Sequence, residues 1–267
     1  MTRLVGFFSN QGDRLQCATA AEREALGFDA GRSDGWGVGS YHAGEVIVRK
    51  RPGDARASVG LAEVVEGLRA PCAVAHVRRA TAGARSLENT HPFRFRRWLF
   101  AHLGTVMTEA PQRRELHEMV PEFLARSVHG QTDSEWLFHH LLAGLWETGR
   151  LDDDGLERAQ IVASVRGSLD ALDARLGLKA PMAFVLTQGH VMLAFSRGVD
   201  AAWVRRQGVR DCPACKRSQA ADEALKYFMF AAGGAVEAPG WRRLPSSPEG
   251  AFVSVDGHLD AAVTALE

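Results

Sequence analysis

No stretch of apolar residues approaches the roughly 20 that a membrane-spanning helix needs. The longest, such as Pro181 to Leu186 and Tyr227 to Ala232, are far shorter, and the N-terminus has no apolar signal-peptide core. Charge of one sign is missing too: 32 Lys and Arg balance 32 Asp and Glu. No net positive field therefore draws the chain to nucleic acid or anionic lipid. Cysteine is sparse, with four residues at 17, 72, 212 and 215, too few for a dense disulfide framework and consistent with a reducing compartment. These absences predict a soluble, cytoplasmic protein with no membrane or nucleic-acid partner. What is present is apolar material for a large core, 46% of 267 residues, which suits one domain over residues 1–267.

Leu4 to Phe8 is a short apolar run followed by the turn-prone Ser9-Asn-Gln-Gly-Asp13, which places the N-terminus on a strand. Residues 44–49 alternate as a half-buried strand, 59–68 read as a helix, and Cys72–Val77 and Trp98–His102 are apolar runs of strand length. Two amphipathic helices follow. The first, Asp133 to Trp146, carries Leu137, Leu141 and Leu145 in one row and Phe138, Leu142 and Trp146 in the next. The second, Leu156 to Leu176, carries Ile161, Val165, Leu169 and Leu172. Strands are predicted near 182–187, 190–195, 227–232 and 251–255, with turns at Gln188-Gly189 and Asp256-Gly257. Strands, helices, then strands again predict an α+β protein whose sheets are covered by helices.

Five short strings stand out along this plan: Asp34-Gly-Trp-Gly-Val-Gly39, Ala75-His-Val-Arg-Arg-Ala-Thr-Ala-Gly83, Glu88-Asn-Thr-His-Pro-Phe93, Phe100-Ala-His-Leu-Gly104 and Thr132-Asp-Ser-Glu135. In this order, behind Met1-Thr-Arg-Leu-Val-Gly-Phe7, they resemble the class II glutamine amidotransferases of the N-terminal-nucleophile (Ntn) hydrolase superfamily. The resemblance covers residues 2–145 closely and 146–267 weakly. It implies a four-layer αββα sandwich of two mainly antiparallel sheets, a stand-alone amidohydrolase acting on glutamine or a γ-glutamyl amide, and no cofactor.

Two departures decide how far that implication reaches. Family members carry Cys where this chain has Thr2, and Asn where it has Leu103. An N-terminal nucleophile uses its own α-amine, of pKa about 7.7 to 8, as the base. Met1 must therefore be removed before Thr2 can act, and a hydroxyl is harder to activate than a thiol. The plainer reading of Thr2 is a β-branched residue opening an edge strand. At Leu103 the family's Asn, with the backbone N–H of the next glycine, faces the developing oxyanion; losing one such donor costs about 2.7 to 4 kcal/mol of transition-state stabilisation. Gly104 retains its N–H. Leu103 otherwise continues the apolar run from Trp98, and the only asparagines, Asn10 and Asn89, give no sign of standing in.

By the same resemblance, Arg78 and Thr81 would hold the glutamine α-carboxylate and Asp133 its α-amine, a clamp suited to charge-assisted hydrogen bonds. Each also has a plainer reading: Arg78 pairs with a structural carboxylate, and Thr132-Asp-Ser-Glu135 is a helix capping box. Trp36 would wall a pocket, with the glycines around it permitting tight turning. Asn89-Thr-His-Pro-Phe93 reads as a turn in which His91 is structural. His76, His91 and His102 sit on three segments without ligand spacing and read as packed or hydrogen-bonded. Cys212-Pro-Ala-Cys215 has the spacing of half a zinc knuckle but no second pair, so no metal is assigned; a loop staple, a redox pair and a site shared between chains remain open. Two functions follow, a Thr2-dependent amidohydrolase of impaired activity and an inactive relative (a pseudoenzyme) that binds an amino-acid-like ligand or a protein partner.

Overall fold

The computed structural model describes residues 2–27, 35–53, 61–78, 84–107, 109–153, 155–177, 179–209, 212, 214–216 and 225–266. Strands β1 (Arg3–Ser9), β2 (Gly35–His42), β3 (Glu45–Pro52), β4 (Cys72–Val77), β5 (Phe93–Phe95), β6 (Trp98–Gly104) and β7 (Met182–Thr187) are followed by β8 (Val191–Arg197), β9 (Ala201–Gln207), β10 (Lys226–Ala232), β11 (Arg242–Arg243), β12 (Ala251–Asp256) and β13 (Ala261–Ala265). The helices are α1 (Leu15–Ala21), α2 (Arg23–Leu26), α3 (Leu61–Glu66), α4 (Ala110–Glu118), α5 (Glu122–Ala125), α6 (Asp133–Glu147) and α7 (Arg158–Leu176).

The strands form two antiparallel sheets, β11-β9-β10-β1-β4-β2-β3 and β13-β12-β8-β7-β6-β5. Period-2 alternation gives each sheet two apolar faces. On the first sheet, Val5, Phe7, Val38 and Ala75 meet Leu15, Leu26, Leu61 and Val65 of α1 to α3. On the second, Phe100, Phe184, Phe195 and Phe252 meet Leu137, Leu141, Ile161 and Leu169 of α6 and α7. Leu4, Phe8, Val74, Leu99, Ala101 and Val185 fill the space between the sheets. The order of layers is therefore helix, sheet, sheet, helix.

The interval between the sheets is set by what one of them omits. Gly37 on β2 faces the second sheet, and a Cβ there would run into the His91 carbonyl; only glycine allows this approach. Asp34-Gly-Trp-Gly-Val-Gly39 is thus chiefly a strand rather than a tight turn, and Asp34 itself lies outside the described residues. Thr2 does not open an edge strand either, because β1 runs between β10 and β4. Trp146 departs from its expected buried row: it is exposed and packs on Phe123 with ring centroids 5.1 Å apart. Among the described residues no helix is long and apolar enough to cross a membrane.

A buried ion pair fastens α7 to β8. Both terminal guanidinium nitrogens of Arg197 meet the Asp173 carboxylate, Nη2 donating to Oδ1 at 2.9 Å, while Nε donates to the Ala180 carbonyl at 3.1 Å. The two side chains are 4% and 11% exposed. Asp173→Ala would strand a buried guanidinium, and the expected loss is about 3 kcal/mol in urea unfolding. Removing Asp152 from its exposed pair with Arg96 should change stability by less than about 0.5 kcal/mol. Equal effects of the two substitutions would contradict this assignment.

Candidate active site

Five chain segments end at one edge of the sandwich. β1 begins just after Thr2, and its first pair is Arg3 with Val77 of β4, while Val77 also pairs with Trp36 of β2. Thr2 and Arg78 therefore emerge side by side from adjacent strands, and the Arg78 N–H closes on the Gly35 carbonyl at 2.8 Å. On the other flank of β1, Leu4 pairs with Ala232, so the chain following β10 runs beside Thr2. At Gly233, whose φ is +92°, a Cβ would collide with both the Thr2 carbonyl and the Leu103 side chain. Thr2, Gly233 and Leu103 are thereby placed in contact across the two sheets.

Leu103 follows Leu99 and Ala101 on the face of β6 that fills the space between the sheets, and it packs against that apolar core. His102 points the other way, toward α6, with Nδ1 2.9 Å from Ser134 Oγ. One residue before Ser134, Asp133 accepts the Val106 N–H on Oδ2 at 2.7 Å. The end of β6, including Gly104, is thus tied to the start of α6. Thr2, Arg78, Leu103, Gly104 and Asp133 lie on segments that share this edge. Trp36 differs: it packs with Val5, Val38 and Leu61 on the helix-covered face of the first sheet, away from the face that carries Leu4 and His76. It does not line the space beside Thr2 because alternation along β2 turns Gly37 and Gly39 there instead. Thr81 lies outside the described residues.

Neither asparagine replaces the side chain missing at Leu103. Asn10 sits at the far end of β1, where Oδ1 accepts the Lys226 N–H at 2.8 Å. Asn89 spans two loops, Oδ1 accepting from the Gln131 N–H at 2.7 Å and Nδ2 donating to the Ala84 carbonyl at 3.1 Å. Ala84 also accepts from Arg78 Nη1 at 3.2 Å, so this brace reaches the buried Arg78. The capping motif is only half formed in the expected way. Thr132 Oγ1 accepts the Glu135 N–H at 3.4 Å, but the Glu135 carboxylate reaches past the cap to the N–H groups of His129 and Gly130, at 3.0 and 2.7 Å. That brace holds the loop leading into Asp133. Sequence reasoning passed over Asn89, Glu135 and Gly233 as parts of one assembly, since their partners lie on other segments.

Behind this edge lie three buried histidines. His76 and His91 have ring centroids 4.2 Å apart, and neither ring finds a side-chain hydrogen-bond partner among the described residues; the same holds for His102 Nε2. Burial, reinforced by the neighbouring histidines and Arg78, lowers His76 to about 3 and takes His91 well below the ordinary value of 6.5. Burial lowers His102 as well, with Asp133 opposing it. All three are neutral in the fold at neutral pH.

The family model described as "Glutamine amidotransferases class-II" matches residues 1–226. A Haemophilus influenzae protein named "Putative glutamine amidotransferase" is 27% identical over 200 residues, which is 73% of this chain and 62% of that protein. Escherichia coli YafJ, of the same description, is 33% identical over 151 residues, 53% of this chain and 55% of its own. The chain thus spans between half and two thirds of the length of these curated relatives. Among solved structures, a predicted glutamine amidotransferase from Pseudomonas aeruginosa superposes with a TM-score of 0.59 at 19% identity, covering 99% of this chain and 96% of that one. The glutamine phosphoribosylpyrophosphate amidotransferase of Bacillus subtilis superposes with a TM-score of 0.58 at 16% identity over 98% of this chain and 48% of that one. The architecture is the Ntn-hydrolase sandwich of these amidotransferases. The chain belongs to the class-II glutamine amidotransferase family. Residues beyond the 226 matched supply β11, β12, β13 and most of β10, so they complete both sheets.

The histidine cluster predicts a pH dependence. Each ring is neutral when folded and takes up a proton when unfolded below about 6.5, so unfolding binds protons in that range. Stability from these groups is full above pH 6.5 and falls as the pH drops toward 4, by up to about 1.4 kcal/mol per pH unit for each histidine. His102→Asn, which retains a partner for Ser134, should flatten the slope of urea midpoint against pH between 6.5 and 4.5. An unchanged slope would show that His102 is not held neutral.

Proposed function

We propose that this chain binds glutamine or a γ-glutamyl amide at the edge where Thr2, Arg78, Gly104 and Asp133 meet, and that hydrolysis there is severely impaired. Arg78 and Thr81 take the α-carboxylate and Asp133 the α-amine. In the reaction as the family resemblance implies it, Thr2 Oγ attacks the amide carbon while the Thr2 amine accepts its proton. The proton passes to the leaving ammonia, and water then releases glutamate from the acyl-enzyme. The observation that carries the reading of impairment is Leu103: it lies beside Thr2 and Gly233 with no donor, while Asn10 and Asn89 are engaged elsewhere. Of the two donors that the family resemblance names, the Gly104 N–H is the one left for the oxyanion. The four thiols, none in a disulfide, suit a reducing cytoplasm, and we read the chain as one cytoplasmic domain with no cofactor in this reaction.

The test combines binding and turnover. Calorimetry should detect glutamine binding to the wild-type chain, and Arg78→Gln or Asp133→Asn should weaken it by about 1.5 to 3 kcal/mol; Asp133→Asn retains an acceptor for Val106. No heat with glutamine, glutamate or γ-glutamyl amides would favour a remnant pocket that serves a protein partner.

Ammonia release from glutamine should be barely measurable in the wild-type protein. Thr2→Cys combined with Leu103→Asn, the latter close to isosteric, should raise it by roughly 100-fold or more, the scale of one oxyanion donor. The two substitutions should be non-additive, because nucleophile and oxyanion hole act on one transition state. Wild-type turnover that survives Thr2→Ala would place the chemistry elsewhere.

A further inference from the structure

Cys17 lies on α1, while Cys212 and Cys215 lie on the connection from β9 to β10. Although these segments are remote in sequence, their three Sγ atoms lie within 4.8 Å of one another. Cys17 and Cys212 are buried beneath the outer apolar core, Cys215 is partly exposed, and none forms a disulfide. Two hydrogen bonds gather the chain around Cys212. The Cys215 N–H donates to Cys212 Sγ at 3.5 Å, and the Lys216 N–H closes on the Cys212 carbonyl at 2.8 Å. Lys216 itself adopts the left-handed conformation, φ +55°.

This arrangement directs an amide N–H at a sulfur, the interaction that favours a sulfur bearing negative charge. An apolar contact would need neither that amide nor three sulfurs gathered from two segments. We propose that Cys17, Cys212 and Cys215 bind a thiophilic divalent cation, Zn²⁺, that clamps α1 to the β9–β10 connection. Zinc–thiolate bonds of about 2.3 Å in a tetrahedral site put sulfurs about 3.8 Å apart, so the three atoms need to close by at most about 1 Å. Each thiol gives its proton to solvent as its sulfur takes a coordination position. Three thiolates leave a fourth position for water or a further donor, and a net charge of minus one for the centre. An iron–sulfur cluster is a poorer match, since it calls for four cysteine ligands. This centre lies on the helix-covered side of the first sheet and plays no part in the glutamine chemistry proposed above.

The experiment uses the full chain produced with zinc in the medium and desalted without chelator. Elemental analysis should find close to one zinc per chain in the wild type and in Cys72→Ala, and roughly tenfold less in Cys17→Ser, Cys212→Ser or Cys215→Ser. If the serine variants fail to fold, the wild-type protein still decides the matter. Cobalt added to the metal-stripped chain should produce the near-ultraviolet thiolate-to-cobalt band and the visible bands of a tetrahedral site, and zinc should erase both. Binding should also raise the melting temperature, because the clamp ties two segments only in the folded state. The proposal is overturned if the wild type carries no zinc and gives no cobalt–thiolate band, or if mass mapping finds Cys212 and Cys215 joined in a disulfide in the native protein.

Discussion

Where β2 passes the second sheet, Gly37 sits against the His91 carbonyl with no room for a side chain, and that close approach sets how the two sheets stack. Because the sheets stack in this way, the N-terminal end of β1, the C-terminal ends of β4 and β10 and the end of β6 come to the same edge. Thr2 and Leu103 belong to different sheets, and they meet around Gly233 only through that stacking. Asn89, on a loop, and Glu135, in the first turn of α6, then brace the approach to Asp133, each accepting from backbone N–H groups of the loop before α6. The site is thus a consequence of sheet packing, with its polar members held by loops from both layers.

This edge combines polar and apolar demands. Arg78 is buried yet tied to the Ala84 carbonyl, and Asp133 spends one carboxylate oxygen on Val106. Both are therefore held in place, which would lower the cost of ordering them around the ligand proposed above. Leu103 works in the opposite sense, extending the inter-sheet core to the place where a reaction of this family needs a polar donor. The neutral histidines behind the edge add another constraint, since imidazoles buried this deeply disfavour charge. On the function proposed above, the edge is ordered for its ligand and poorly equipped for stabilising an oxyanion.

Much of the secondary structure was legible because apolar runs and helical rows report burial directly. Cys72–Val77 and Met182–Thr187 match their expected spans, and α6 and α7 begin and end within a residue or two of theirs. The exceptions have physical reasons. β2 carries no strand signal in its sequence because glycines, which allow the approach of the second sheet, erase the β-propensity of the strand. β9 and β13 were overlooked because Ala-rich and Arg-bearing runs carry little alternation. Trp146 keeps its helical spacing with Leu142, but the helix turns it beyond the edge of the core toward Phe123.

The residues determined, by type and order alone, which groups could take part: a hydroxyl at Thr2, a guanidinium at Arg78, a carboxylate at Asp133, and no amide donor at Leu103. These are chemical identities, and no folding event alters them. Tertiary structure decided which of them meet and which way they face. Alternation along β2 sent Trp36 into the helix-covered core, hydrogen bonds committed Asn10 and Asn89 elsewhere, and packing of α1 brought Cys17 to Cys212 and Cys215. Such outcomes depend on contacts between segments far apart in the chain, and the local sequence around each residue carries no record of the partner it will find.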